Sequence, residues 1–173
     1  MSRFWVLLCA IALGACGQYS IRNIDKPAPK SYEGWLRPNN SPLPIDEASR
    51  ALLECGAPSP EITSFVYEKA LGLYELDDQL RDSFEITGCM EKAGFRRRWT
   101  SQKEDCSLYR RYAEFPACQP GAIFRTRSVE RRLTSWYCQI KTDREYCHKH
   151  AFTPSACDDP KKDYNNPPAI CHP

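Results

Sequence analysis

Asp46-Glu47-Ala48-Ser49-Arg50-Ala51-Leu52-Leu53-Glu54-Cys55-Gly56 is the stretch that decides the fold. Asp46 is a good N-cap type, Ala48, Leu52 and Cys55 fall at i, i+4 and i+7, and Gly56 can end the helix in the left-handed conformation. Cys55 therefore faces inward at a helix end. A second run begins at Leu76-Asp77-Asp78, carries Leu80 and Phe84 four apart, and ends in Cys89-Met90-Glu91-Lys92-Ala93-Gly94-Phe95, with Gly94 as its stop. Two helix ends each place a cysteine near a glycine. The economical reading is a helical hairpin over about residues 45–95, stapled by Cys55–Cys89, given antiparallel helices with Cα atoms within about 7 Å. Between the two runs, Ser59-Pro60-Glu61 is a helix start, and Ile62, Phe65, Val66, Ala70 and Leu73 follow one helical stripe. Upstream, Trp35 in Tyr32-Glu33-Gly34-Trp35-Leu36-Arg37-Pro38 reads as a core anchor, and Asn39-Asn40-Ser41-Pro42-Leu43-Pro44 as a turn.

Whether these cysteines pair depends on the compartment, which the N-terminus addresses. Arg3 supplies a positive charge, Phe4-Trp5-Val6-Leu7-Leu8-Cys9-Ala10-Ile11-Ala12 an apolar core, and Leu13-Gly14-Ala15-Cys16 a small-residue cleavage site. That is the pattern of an export signal. About ten apolar residues make a helix of roughly 15 Å, half of a hydrocarbon core, so the segment is expected to be removed rather than to span. Leu13-Gly14-Ala15-Cys16 also resembles the lipobox of bacterial lipoproteins, in which the cysteine is acylated, palmitate included, and becomes the new N-terminus. The resemblance makes Cys16 the lipidation site. Gly17 follows it where enterobacterial lipoproteins kept in the inner membrane carry aspartate, which implies the outer membrane.

Three regions follow: a cleaved signal over residues 1–15, a tether over 16–31 and a globular region over 32–173. The tether contains Lys26-Pro27-Ala28-Pro29-Lys30, has no apolar period, and reaches about 45 Å if extended. Cys9 leaves with the signal and Cys16 goes to lipid, so eight cysteines remain: Cys55, Cys89, Cys106, Cys118, Cys138, Cys147, Cys157 and Cys171. In an exported chain they read as four disulfides. Fourteen prolines and a mean hydropathy of −0.59 indicate a thin apolar core that the disulfides supplement. The expected fold is mostly α, small and disulfide-rich, with a helical part over residues 32–98 and an irregular Cys/Pro-rich part over 99–173.

Eight cysteines allow 105 pairings. In the C-terminal part, the segment from Cys106 to Phe115-Pro116-Ala117-Cys118 resembles that from Cys147 to Thr153-Pro154-Ser155-Ala156-Cys157, and Pro167-Pro168-Ala169-Ile170-Cys171 echoes their ends. The working connectivity is Cys106–Cys118, Cys138–Cys147 and Cys157–Cys171, of which nothing is fixed as firmly as Cys55–Cys89. Between the two copies, Ser128 to Gln139 reads as one short helix with Val129, Leu133 and Trp136 on one face and Arg127, Arg131 and Arg132 around the others.

Charge separates along the chain although it nearly cancels overall. Without the signal the chain has 23 Lys+Arg against 22 Asp+Glu, which gives no case for a nucleic-acid partner. Residues 61–90 carry a net −5 and residues 91–132 a net +6. The basic half contains Phe95-Arg96-Arg97-Arg98-Trp99 and Tyr109-Arg110-Arg111-Tyr112. Guanidinium forks match phosphate and carboxylate, and aromatic rings add stacking surface. Arg96, Arg97, Arg98, Arg110 and Arg111 are therefore anion-binding candidates, for an envelope protein or an anionic envelope polymer. The competing reading pairs them with the acidic residues of 61–90.

Asp77-Asp78 with Asp82 and Glu85 reads as a solvated face rather than a carboxylate pair for glycoside cleavage. Cys147-His148-Lys149-His150, with Cys157, Cys171 and His172 further on, supplies zinc-type ligands, but the spacings fit no familiar finger and an oxidising compartment favours S–S bonds. No metal and no cofactor beyond the lipid is expected. No Gly-x-Ser-x-Gly, His-Glu-x-x-His or phosphate-loop motif occurs. The expected role is binding or structural rather than enzymatic, with a metalloenzyme or zinc protein using residues 147–172 as the alternative.

Trp35-Leu36-Arg37-Pro38, Ala51-Leu52-Leu53-Glu54-Cys55-Gly56 and Cys89-Met90-Glu91-Lys92-Ala93-Gly94-Phe95, behind the lipobox, resemble a group of small uncharacterised proteobacterial lipoproteins. The resemblance covers about residues 1–95. It implies a membrane-anchored address in the cell envelope and a disulfide framework, and it carries no activity.

Overall fold

A computed structural model of the chain describes residues 30–61, 76–108 and 110–173. The export signal, the acylation site, nearly all of the tether, the helical stripe of residues 62–73 and Tyr109 lie outside the described residues. Six α-helices and one minimal sheet are described. Helix α1 is Ile45–Glu54 and α2 is Leu76–Lys92. Strands β1, Trp35–Leu36, and β2, Arg96–Arg97, pair antiparallel with Trp35 opposite Arg97 and Leu36 opposite Arg96. Helices α3 (Gln102–Leu108), α4 (Val129–Leu133), α5 (Trp136–Thr142) and α6 (Arg144–His150) follow. The chain is mostly helical and disulfide-rich, as its sequence indicates.

Helices α1 and α2 end in the same way. Gly56 N donates to Leu53 O and Ala57 N to Leu52 O; Gly94 N donates to Glu91 O and Phe95 N to Met90 O. These are paired Schellman bonds, which need a residue with positive φ just past the helix. Gly56 has φ of 100° and Gly94 of 90°, so glycine fits both without Cβ strain. Each motif also turns the chain back onto its helix: Ala57 packs with Leu52, and Phe95 with Met90, in one buried cluster. Cys55 and Cys89 sit at these two ends with Cα atoms 5.7 Å apart and are bonded. The start of α1 differs from the sequence reading. Pro44, not Asp46, is the N-cap, and its carbonyl accepts from Ala48 N at 2.9 Å. Asp46 and Glu47 lie in the first turn, where carboxylates favour the exposed N–H groups. Trp35, 4 % exposed, is a core anchor as read.

The C-terminal part corrects two expected disulfides. Cys106–Cys118 forms as read, with Cα atoms 5.6 Å apart. The remaining four cysteines pair as Cys138–Cys171 and Cys147–Cys157, with Cα separations of 5.3 and 5.9 Å, instead of Cys138–Cys147 and Cys157–Cys171. The cause is local geometry. Cys147 lies in α6, and the 3-10 turn Pro154–Asp158 brings Cys157 back against that helix, whereas Cys138 in α5 meets the turn Ala169–Cys171. Each of the turns Pro116–Cys118, Pro154–Asp158 and Ala169–Cys171 follows or begins with a proline and delivers a cysteine.

The single helix expected over 128–139 is two. Ser128 caps α4 by accepting from Arg131 N, and Ser135 caps α5 by accepting from Cys138 N. A second cap ends the first helix, because Ser135 itself is extended, with ψ of 148°. The buried face also differs: Val129 is exposed and Arg132 is 3 % exposed.

Candidate functional site

Part of the charge in the basic stretch is used inside the fold, at Arg127, Arg131 and Arg132. Glu54, at the end of α1, is buried. Its Oε2 lies 2.7 Å from Arg127 Nε and its Oε1 3.1 Å from Arg132 Nε. Arg132 also donates to Ile170 O and, at 2.6 Å, to His172 O. The backbone carbonyl of Glu54 accepts from Ser128 N at 3.2 Å and from the Arg131 guanidinium. One acid thus joins α1, α4 and the C-terminal tail. Both oxygens of the buried carboxylate are paired, which such a group requires. Arg125 lies 3.5 Å from Glu85, a bridge between the basic stretch and the acidic residues of 61–90.

The five anion-binding candidates separate. Arg97 is half-buried and paired with Asp105. Arg96 is exposed and donates to neutral Asn40 Oδ1 at 2.9 Å, so its charge has no countercharge there. Arg98 is exposed and its side chain has no hydrogen bond or ion pair among the described residues; only its backbone N–H is used, donating to Gly34 O at 2.8 Å. The side chains of Arg110 and Arg111 lie outside what is described. Pairing with β1 positions Arg96 in β2, and the bond from Arg98 N to Gly34 O holds Arg98 just past the strand.

Beside Arg98 the Trp99 ring lies against Gly34, where a Cβ would stand 3.2 Å from Trp99 Cζ3. Trp99 nevertheless remains 59 % exposed. Two hollows meet at this pair. One, of about 470 Å3, runs along residues 94–101 and is bounded by Glu91 and Glu104. The other, of about 300 Å3, is lined by Tyr32, Trp35, Pro42, Leu43 and Ile45 with Arg98, Trp99 and Glu33. Tyr32 and Ile45 continue into a third hollow, of about 330 Å3, that reaches Tyr137, Pro168 and Ala169. The carboxylates of the first hollow are occupied by helix α3. Glu91 Oε1 accepts from Gln102 N at 2.9 Å, and Glu104 Oε2 accepts from Ser101 N at 2.6 Å and Ser101 Oγ at 2.9 Å. The Ser101 backbone bond holds the Glu104 carboxyl below its ordinary value. A face of cationic and aromatic character remains, which can take phosphate or carboxylate beside an apolar surface.

The zinc-type ligands are not brought together. Cys147 and Cys157 are bonded to each other and Cys171 to Cys138. His148 Nε2 lies 3.1 Å from Asp158 Oδ1, the His150 ring sits 4.2 Å from that of Tyr146, and His172 Nε2 lies 3.1 Å from Pro167 O. Among the described residues no group of three or more His, Cys, Asp or Glu side chains is placed to hold a metal ion. Asp78 pairs with Arg81 at 3.1 Å along α2. Sequence reasoning missed the Glu54 junction and the contribution of Ile45 and Tyr32 to the exposed face. Ile45, three residues before Ala48 and seven before Leu52, falls on the α1 stripe by period, so nothing in the sequence marked it as exposed; nor was the junction legible, because Glu54 lies over seventy residues from Arg127 and Arg132.

No protein-family model, curated protein or solved structure matches the chain.

Proposed function

We propose that this chain is a lipid-anchored protein of the cell envelope, held at the outer membrane by acyl chains on Cys16, with a binding or structural role rather than a catalytic one. The observation that carries the reading is the closure of all eight cysteines of residues 30–173 into four disulfides. Such pairing is the chemistry of an exported protein, and it agrees with an apolar segment that ends in Leu13-Gly14-Ala15-Cys16. The test is the intact mass of the protein extracted from its own membranes, before and after reduction. The expected species begins at Cys16, carries acyl chains, and gains the mass of eight hydrogens on reduction. A chain with an unmodified N-terminus or free thiols would overturn the proposal.

A second reading, recognition of an anionic envelope polymer, is favoured by the unpaired Arg98 and by Arg96 beside exposed Trp99. Binding through those guanidinium groups is expected to weaken steeply with salt; salt-independent binding would remove it.

A further inference from the structure

The described body begins at Lys30, and its first residues lie on the same face as Arg98 and Trp99. Ser31 N and Oγ both donate to Glu61 O, at 3.2 and 2.9 Å, and Lys30 Nζ lies 2.7 Å from Glu61. Tyr32, next in the chain, lines both the hollow that contains Arg98 and Trp99 and the hollow that contains Glu61. Ile45 lines both as well. Ile45 is 60 % exposed and Trp99 59 %, so two large apolar side chains lie open to solvent around the point where the preceding chain enters. Glu33 shares the face, but it accepts from Lys30 N at 3.2 Å, and Asp46 lies in the first turn of α1.

Thirteen residues separate Cys16 from Lys30. Whatever their conformation, they cannot carry Lys30 further than about 50 Å from Cys16. An acylated Cys16 would therefore keep this face close to one bilayer surface, where a weak contact becomes effectively intramolecular. The side chains present suit that surface: tryptophan is favoured at the membrane–water interface, and arginine binds lipid phosphate. On these grounds, and resting on the lipid-anchor reading above, we propose that the face of Trp99, Ile45 and Arg98 docks on the phospholipid surface that holds Cys16, with the two apolar side chains among the headgroups and the guanidinium on lipid phosphate. A soluble polymer would account for Arg98 but gives no reason for an apolar Ile45 at the entry of the N-terminal segment.

The test is hydroxyl-radical footprinting of the full processed protein, extracted with its lipid and reconstituted into vesicles of phosphatidylethanolamine and phosphatidylglycerol. Exposed Ile123 and Phe152 serve as internal references. Docking predicts that labelling of Trp99 and Ile45 falls severalfold relative to Ile123 and Phe152. The combined variant Arg98→Ala, Trp99→Ala, checked for four disulfides by unreduced mass, should return Ile45 to the labelling of the references. Acyl chains in the intact mass together with full labelling of Trp99 and Ile45 would overturn docking and leave the anchor standing. Protection that appears only when peptidoglycan fragments are added would assign the face to a polymer and overturn it too. An unacylated Cys16 would remove the anchor and the docking inference with it.

Discussion

Arg132 is an arginine buried in a network that joins distant parts of the chain. It is buried, pairs with Glu54, and satisfies the Ile170 and His172 carbonyls. Arg132→Met would leave Glu54 with Arg127 alone and two tail carbonyls without their donor. The expected cost is about 3–5 kcal/mol, as for other buried pairs that lose one partner, read from urea unfolding of the oxidised protein. A loss near the about 1 kcal/mol of a surface pair would mean that water replaces the guanidinium. Glu104 poses a different question, because it is exposed and its effect is one of pH. Its carboxyl is held below the ordinary value of 4.5 by the Ser101 backbone N–H, so the bond contributes above the unfolded pKa and is lost as pH falls through the lower folded one. The Ser101 amide resonance should therefore titrate with a midpoint below 4.5, and a midpoint at or above it would mean that the cap does not form.

At the scale of elements, the disulfides rank by the loops they close. Cys138–Cys171 spans 33 positions and Cys147–Cys157, nested inside it, spans 10. Chain-entropy arguments make the longer staple more stabilising by about 1 kcal/mol. Replacing Cys138 and Cys171 by alanine should lower the urea midpoint more than replacing Cys147 and Cys157. The reverse order would place the difference in packing around α6. This connectivity was partly legible. The helix ends at Cys55-Gly56 and Cys89 to Gly94 are local patterns, and local patterns determined both the stops and their staple. The likeness between the Cys106 and Cys147 segments also carried the answer: each copy closes on itself, so the pairing inferred for the first applied to the second. Cys138–Cys171 was not legible, since no local rule brings α5 to the C-terminal turn. Arg132 was misplaced for a related reason. Periodicity assigns arginine to a solvated face, and only the tertiary position of Glu54 reverses that. Of the candidate site, Arg98 and Trp99 were visible as residue types, but sequence could not separate the free Arg98 from the paired Arg97.

For the whole molecule, the question is whether the helical part and the Cys/Pro-rich part are separable. Leu53 of α1 packs in one buried cluster with Cys138, Ile170 and Cys171, and the carboxylate of its neighbour Glu54 binds Arg127 and Arg132. On the other side Gln102 N donates to Glu91, and the Phe124 ring lies so close to α2 that a Cβ at Gly88 would stand 2.1 Å from it. Each part therefore completes its core with side chains of the other. A unit built this way loses both parts together, which predicts one cooperative transition. In urea, with disulfides intact, far-ultraviolet circular dichroism should report the same midpoint as the fluorescence of Trp35 in the first part and of Trp136 in the second, each followed with the other tryptophans replaced by phenylalanine. Midpoints that differ between Trp35 and Trp136 would show the junction at Glu54 to be a contact between two independently stable units. In that case Arg132→Met should lower only the midpoint seen by Trp136, whereas in a single unit it lowers both equally. The same variant thus distinguishes a buried pair that stabilises one helix from one that makes two halves fold as one.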